Sequence, residues 1–426
     1  MKIGMQTWGS YGDVRPFVEL AKGLKEAGHD VTLLVTSLDT TSYETLLTKT
    51  GVMIESVASP VIVDKAELNQ IEANIFAEVG GLKQTQAIIE KLLLPVESAM
   101  YEAAENLCRE SDLVIGHFFH YPLHVAAERT ACPYVSVALV YSGLPSSQIP
   151  PSGLPNLGLL GNRILWWLVR SLLNKHIKPY PDRLRVQHGM EPARDLFTDV
   201  WASKQLTLVA ASPQLCQRPS DWPDAYQVCG FLHSPSRLLE ADIPSSLKTF
   251  LSVERAPIYI TFGSVQAADQ KATITLLIDA VKKAGARAII QFADWPKLGV
   301  MSGDQIHFVE SLPQAEVFPH CCAIIHHGGA GTSQTALTAG KPSIVVAHTT
   351  EQEFWGRELA RKGLAPKPLK RKNLTVNQLT QAIQKVMADP HFTEAALRIG
   401  REMAKEDGVR CAVSLIEKNF SSEAET

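Results

Sequence analysis

Two adjacent histidines run straight into a glycine-rich turn at His326-His327-Gly328-Gly329-Ala330-Gly331-Thr332. Ahead of them Ala323 to Ile325 reads as a short buried strand. Behind them Ser333, Ala336, Leu337 and Ala339 continue at helical spacing until Gly340 and Pro342 close the run. A loop without bulky side chains that opens onto a helix N-terminus, expected near Thr332, presents unpaired backbone N–H groups and the positive end of a helix dipole. That combination suits a phosphate group. Glycines alone fit an ordinary strand-to-helix turn equally well. The histidine pair, which adds side-chain donors, and the downstream pair Glu351-Gln352 favour a ligand site.

A carboxylate stands at a comparable place near the start of the chain. Residues 2–8 read as a strand, Gly9-Ser10-Tyr11-Gly12-Asp13 as a turn, and about Pro16 to Ala27 as a helix closed by Gly28. Asp13 is suited either to taking a proton or to capping that helix. His117, His120 and His124 follow the apolar run Leu113-Val114-Ile115, at spacings of three and four. On one helix face they could hold zinc, but no cysteine or carboxylate in a ligand spacing accompanies them. They read instead as opening the helix after that strand and lining a cleft.

These residues need a scaffold, and the chain alternates strand and helix throughout. The turn after the first strand leads through a helix to a second strand, Val31–Thr36, a βαβ unit that predicts a parallel sheet. Further strands are expected at Val52–Val57, Leu113–Ile115, Tyr134–Val140 and Leu206–Ala210. A proline-rich stretch without helical period, around 213–245, reads as a linker plus the first strand of a second domain, Tyr226 to Cys229. The alternation then resumes at Ile258–Phe262, Ala288–Phe292, Ile306–Val309 and Ser343–Ala347. The expectation is an α/β protein of two Rossmann-like doubly wound domains facing across a cleft that holds the ligand. Their bounds are 1–215, a linker at 216–240, 241–405, and a C-terminal helix at 406–426 packing back on the first domain. The first turn carries Gly9 and Gly12 but not GxGxxG, so a dinucleotide cofactor has little support.

Composition narrows the class. Of 426 residues 45% are apolar and 20% charged, with a formal net charge of −3, which gives no electrostatic reason to expect nucleic acid. Seven cysteines, with no CxxC and an adjacent pair at Cys321-Cys322, argue against a disulfide framework or zinc site and fit a reducing cytoplasm. The N-terminal residues do not read as a secretory signal, and no run of about 18 apolar residues suggests a membrane span. One segment, 159–178, is apolar around most of its circumference, with Arg163 and Arg170 two turns apart on one face and a Trp166-Trp167 pair between them. It reads as the wall of a greasy pocket, with a membrane-surface helix as the second reading.

The motifs resemble those of nucleotide-sugar glycosyltransferases of the GT-B fold, nearest the branch of sterol glucosyltransferases and bacterial macrolide and glycopeptide glycosyltransferases. Four pieces carry the resemblance in order: Gly9 to Phe17, Thr261-Phe262-Gly263-Ser264, His326 to Thr332, and Glu351-Gln352-Glu353-Phe354-Trp355-Gly356. The ending, Glu406-Asp407-Gly408-Val409 before a helix, is also similar. The resemblance implies that His327, Gly329, Gly331, Thr332 and Ser264 bind the donor's diphosphate, with Gly12 on the donor side as well. Leu312 lies where the family holds the nucleobase, and Glu351 and Gln352 where it bonds the sugar hydroxyls. Asp13 takes the place of the general base, since no histidine precedes His29, and His117 is the second candidate for base or orienting group. His120, Trp166 and Trp167 are assigned to the acceptor. The implied activity is inverting transfer of a hexose, glucose by preference, from a UDP-sugar to a hydroxyl of a lipophilic small molecule, without a cofactor. No DxD motif occurs, which fits a metal-free mechanism.

Rivals remain. A dTDP-sugar-dependent antibiotic-type enzyme differs only in the donor. An epimerase of the same fold needs further acid–base residues that the sequence does not supply. A non-catalytic binding protein has no need of Asp13 with Glu351-Gln352. The His-Gly-Gly piece resembles an esterase oxyanion loop, yet no GxSxG elbow exists.

Overall fold

The computed structural model describes every residue except 39–42, 44–49, 79, 234–242, 263–268, 293–294 and 422–426. The chain divides into two compact units, one of Met1–Ile71, Glu78–Ser234 and Glu406–Thr426, the other of Glu72–Ala77 and Pro235–Lys405.

The first unit is built on a seven-stranded sheet. Its strands are β1 (Lys2–Gly9), β2 (Asp30–Ser37), β3 (Met53–Ser56), β4 (Leu113–His117), β5 (Tyr134–Ala138), β6 (Leu206–Val209) and β7 (Tyr226–Val228), in the order β3-β2-β1-β4-β5-β6-β7. All neighbours run parallel, and Met5 of β1 lies between Leu33 and Ile115. Parallel strands covered by helices on both faces are apolar along their whole length, and β5 is buried at every position.

The second unit carries six parallel strands, β8 (Ile258–Thr261), β9 (Ala288–Gln291), β10 (Ile306–Val309), β11 (Ala323–His326), β12 (Ser343–Ala347) and β13 (Leu369–Lys370). Their order is β10-β9-β8-β11-β12-β13. Ile258, Ile260, Ile290, Ile325 and Ile344 project into one apolar cluster on one face, while Tyr259, Ile289 and Ile324 join Phe318 and Leu247 on the other.

In both sheets the chain reverses its direction of travel at one place, between β1 and β4 and between β8 and β11. In doubly wound sheets the loops beyond the carboxyl ends of two such strands diverge and leave a crevice for a ligand. Asp13 follows β1, His117 is the last residue of β4, and His327 follows β11.

Six helices matter below: α1 (Tyr11–Glu26), α2 (Tyr121–Thr130), α3 (Gly158–His176), α4 (Ala330–Thr338), α5 (Thr350–Arg361) and α6 (Gly408–Phe420). Helix α6 packs on α1 so closely that a methyl group on Gly23 would lie 2.2 Å from Val409 Cγ1, and His29 Nε2 meets Glu417 Oε1 at 3.2 Å.

Three local expectations are corrected. Tyr226–Val228 is the seventh strand of the first sheet, hydrogen-bonded beside β6, rather than the opening strand of the second unit. Its three residues beyond a proline-rich stretch make an edge strand, the place where short strands are tolerated. Helix α1 starts at Tyr11, ahead of the expected Pro16, because Ser10 is extended and Asp13 reaches back to cap it. His117, His120 and His124 do not share a helix face, since β4 ends at His117 and α2 begins only at Tyr121.

Candidate active site

At the switch point of the second sheet, β11 ends in His326, and His327-Gly328-Gly329 carries the chain into α4. His326 is fully buried, and its Nδ1 accepts the Gly328 N–H at 3.1 Å. In the neutral ring the proton therefore sits on Nε2. Gly328 has φ of +93°, a region that disfavours side chains, and a methyl group there would meet the Gln352 carbonyl oxygen at 2.7 Å. Gly329 is needed for a different reason: its Cβ would lie 2.4 Å from His327 Nε2, so the ring rests directly on its backbone.

Gly329 is the N-cap of α4, and no side chain caps that helix. The first-turn N–H groups at Ala330, Gly331 and Thr332 are therefore not answered by a capping side chain, at the positive end of the helix dipole. Gly331 is exposed, with no atom within 4 Å of its would-be Cβ, and Thr332 is half-buried beside it. Burial pushes His327 down to about 4 and His326 to about 3, the latter helped by His327. Both rings are neutral at pH 7 and act as donors rather than as fixed cations.

The next loop, after β12, adds His348. Burial first, then His327 and Arg371 nearby, push it to about 3, and its ring lies 5.5 Å from that of Phe262. His348 escaped the sequence reading. The signal that marks it is its place directly after the apolar run Ser343–Ala347, the place His327 holds after β11.

Gln352 is half committed. Its Oε1 accepts the N–H groups of His348 (2.8 Å) and Thr349 (3.2 Å), so it closes the capping box of α5 with Thr349. Only its amide nitrogen remains to meet a ligand. Glu351 sits half-buried in the first turn of the same helix. The Leu312 side chain lies in the apolar cluster with Val309, Val317 and Phe318, which leaves its backbone as the group that can meet a ligand. Ser264 lies outside the described residues.

At the switch point of the first sheet, Asp13 occupies the third position of α1. Its Oδ2 accepts both the backbone N–H and the hydroxyl of Ser10, each at 3.0 Å, which leaves Oδ1 outside that pair. Gly12 beside it is exposed. His117, at the end of β4, is held down by burial while the negative charge of Asp13 draws it upward, so the two groups feel one another. His117 Nδ1 accepts the Phe119 N–H at 3.2 Å. A neutral His117 thus offers an N–H from Nε2 and has no lone pair left for a proton, which suits an orienting group and not a base.

His120 is corrected as an acceptor contact. It has no exposed surface, and its Nδ1 caps α2 by accepting the Leu123 N–H at 3.2 Å. Trp166 and Trp167 do line a cavity of about 420 Å³, together with Ser146, Arg163, Arg170 and Asp195. Trp166 is buried and donates to the Ile149 carbonyl at 2.7 Å, whereas Trp167 is 67% exposed. An aromatic series connects this cavity to the loop after β4: Trp166 meets Phe197, Phe197 meets Trp201, and Trp201 meets Phe118 and Phe119.

Two family models match the chain. Residues 3–134 match the glycosyltransferase family 28 N-terminal domain, and residues 275–414 the C-terminal domain of the erythromycin biosynthesis protein CIII-like family. This chain is a glycosyltransferase of the GT-B fold. Over 99% of its length it is 28% identical to a sterol 3-beta-glucosyltransferase of Arabidopsis thaliana, of which it spans 69%. It is 26% identical to an O-mycaminosyltylonolide 6-deoxyallosyltransferase of Streptomyces fradiae, over 98% of this chain and 97% of that protein. With a second Arabidopsis sterol glucosyltransferase it spans 66% of the relative, and with one from Emericella nidulans only 30%. Among solved structures, the glycosyltransferase of kitacinnamycin superposes with a TM-score of 0.67 at 17% identity, covering 98% of this chain and 99% of that one. The glycosyltransferase VinC, solved with dTDP, gives 0.62 at 20% identity over 98% and 99% of the two chains.

The residues gathered at the two switch points differ. The second collects backbone N–H groups and neutral imidazoles. The first collects a carboxylate and an imidazole donor. Among the described residues no helix is long and apolar enough to cross a membrane.

Proposed function

We propose that this glycosyltransferase moves a hexose, glucose by preference, from UDP-glucose to a hydroxyl of a lipophilic acceptor of sterol or polyketide type. The observation that carries the donor side is the uncapped N-terminus of α4, faced by His327 and by the N–H groups of Gly329, Gly331 and Thr332. As the bond from C1 to the diphosphate oxygen breaks, its electron pair goes to the leaving diphosphate. The loop's N–H groups and the His327 ring meet that growing charge. The acceptor oxygen forms the new bond to C1 from the opposite face, giving inversion, and Asp13 Oδ1 takes its proton. A free carboxylate of pKa about 3.9 is a weak base toward an alcohol. It suffices when the proton leaves late, after positive charge has developed at C1. His117 holds the acceptor or the carboxylate through its Nε2–H.

The acceptor class is supported by the sterol and macrolide enzymes among the relatives. A thymidine donor is the second reading, supported by structural neighbours solved with that diphosphate, among them VinC and the spinosyn rhamnosyltransferase SpnG.

Titration calorimetry with UDP, UDP-glucose and dTDP separates the readings. Binding of UDP that weakens about 100-fold in His327→Ala supports the donor seat, tighter dTDP binding moves the assignment to the thymidine donor, and no binding of any diphosphate overturns the proposal. Because protein groups answer the leaving charge, transfer is expected to survive chelation by EDTA.

A further inference from the structure

Helix α3 exposes a broad apolar strip. Leu160, Ile164, Leu168 and Leu172 recur every four residues and so share one face, with Trp167 beside them. Leu160 is 76% exposed and Ile164 60%, and the other three are between 46% and 67%. The opposite side is anchored: Asn162 and Trp166 are the buried residues of the helix, and Asn162 donates to the Ser147 carbonyl at 2.9 Å. The strip is therefore fixed outward by the fold rather than loosely exposed. Soluble surfaces seldom leave so many large apolar side chains together on one element.

The charge on this helix is one-sided. From Gly158 to His176 there is no Asp or Glu, while Arg163, Arg170 and Lys175 are present in a chain whose formal net charge is −3. Arg170 is held by Asp195 at 3.0 Å. Asp221, the other carboxylate on the adjoining cavity, accepts from Ser146 and Ser147. Arg163 is exposed at one edge of the strip beside Trp167, Lys175 is exposed at its C-terminal end, and neither enters an ion pair among the described residues. A second copy docking on the same face would set these cations against their own likeness, with no acidic residue on the helix to answer them. An anionic bilayer surface answers both features at once, the apolar side chains entering the acyl boundary and the cations meeting headgroup phosphates.

We propose that the exposed face of α3 docks this glycosyltransferase on anionic lipid membranes. Flotation of the full chain with vesicles of about 30% phosphatidylserine in phosphatidylcholine tests it. Wild type is expected to float with these vesicles, and to do so at least tenfold less with pure phosphatidylcholine or in about 0.5 M salt. The triple variant Leu160→Ser/Ile164→Ser/Leu168→Ser should lose flotation while melting like wild type, and Arg163→Glu should weaken it about tenfold. Wild type that stays with the aqueous phase overturns the proposal. So does sedimentation showing a dimer that the triple variant dissociates, since the face then belongs to a second copy.

Discussion

At the switch point of the first sheet, the helix entry is closed from within: Ser10 N–H and hydroxyl both bond Asp13 Oδ2, so the N-cap residue spends both its donors on the helix's own carboxylate. At the equivalent place in the second sheet, Gly329 begins α4 and no side chain caps it. Topology makes both places crevices, and the N-cap residue then decides the charge each will accept. A self-capped helix repels a further anion while holding a carboxylate in a defined place. A bare one keeps its dipole and N–H groups for an outside anion. Helix α5 resembles α1 in this respect, with Thr349 and Gln352 closing a box that uses up Gln352 Oε1.

The largest effect should come from removing the charge that the first switch point holds. Asp13→Asn keeps the shape and can still accept from Ser10. Sugar transfer to a sterol is expected to fall by about 10²- to 10⁴-fold in kcat, the usual contribution of a general base. Diphosphate binding should stay within about twofold of wild type. An Asn variant with full kcat would reduce Asp13 to a cap and erase the difference between the two sites.

The converse change is Gly331→Asp. Nothing lies within 4 Å of the new Cβ, so the backbone site has room for a side chain. An aspartate in the first turn of a helix is itself stabilising. The melting temperature should hold or rise while UDP affinity, read by calorimetry, falls about 100-fold. The contrast between stability and binding is the point: a variant that lost both equally would show that the bare N-terminus only serves folding.

Much of this was legible in the sequence because it rests on local rules. Alternating apolar runs and helical spacings announce two parallel sheets, and the Gly328-Gly329 turn announces a tight strand-to-helix junction. What local rules miss is which atom a side chain spends elsewhere. His120 reads as a cleft residue yet is consumed as a buried N-cap, and Gln352 loses its carbonyl oxygen to the backbone of His348 and Thr349. Leu312 stands where the resemblance places the base, while its side chain is drawn into the apolar cluster around Phe318. Tyr226–Val228 was misread for a related reason. Three residues carry too little pattern to say which sheet they join, and hydrogen bonding to β6 decides it.

Acid should expose the buried imidazoles. Burial holds His120, His326 and His348 near 3 and His124, His233 and His327 near 4. In the unfolded chain they titrate near 6.5. Between about pH 6.5 and 4 the unfolded state binds more protons, so stability rises with pH there and is lost as pH falls through that window. Melting temperature should drop by several degrees from pH 7 to pH 5, and His327→Gln should drop less. Half of these six rings lie at the second switch point, against one, His120, on the loop after β4. A bound diphosphate should therefore shrink the acid loss by favouring the charged form of His327.

The smallest effect isolates the cap itself. Ser10→Ala deletes one of the two bonds to Asp13 Oδ2 and leaves the other, from the backbone N–H of residue 10. A lost cap bond of this kind costs about 1 kcal/mol, which urea titration can resolve. If Asp13 works only because the cap holds it still, kcat should fall several-fold with KM for the donor unchanged. Thr349→Ala, the matching change on α5, should cost a similar amount of stability and raise the donor KM instead, since Gln352 serves the donor side. Equal effects of the two variants on the same kinetic constant would mean that the two capping boxes do one job, and that only the uncapped helix between them distinguishes the two switch points.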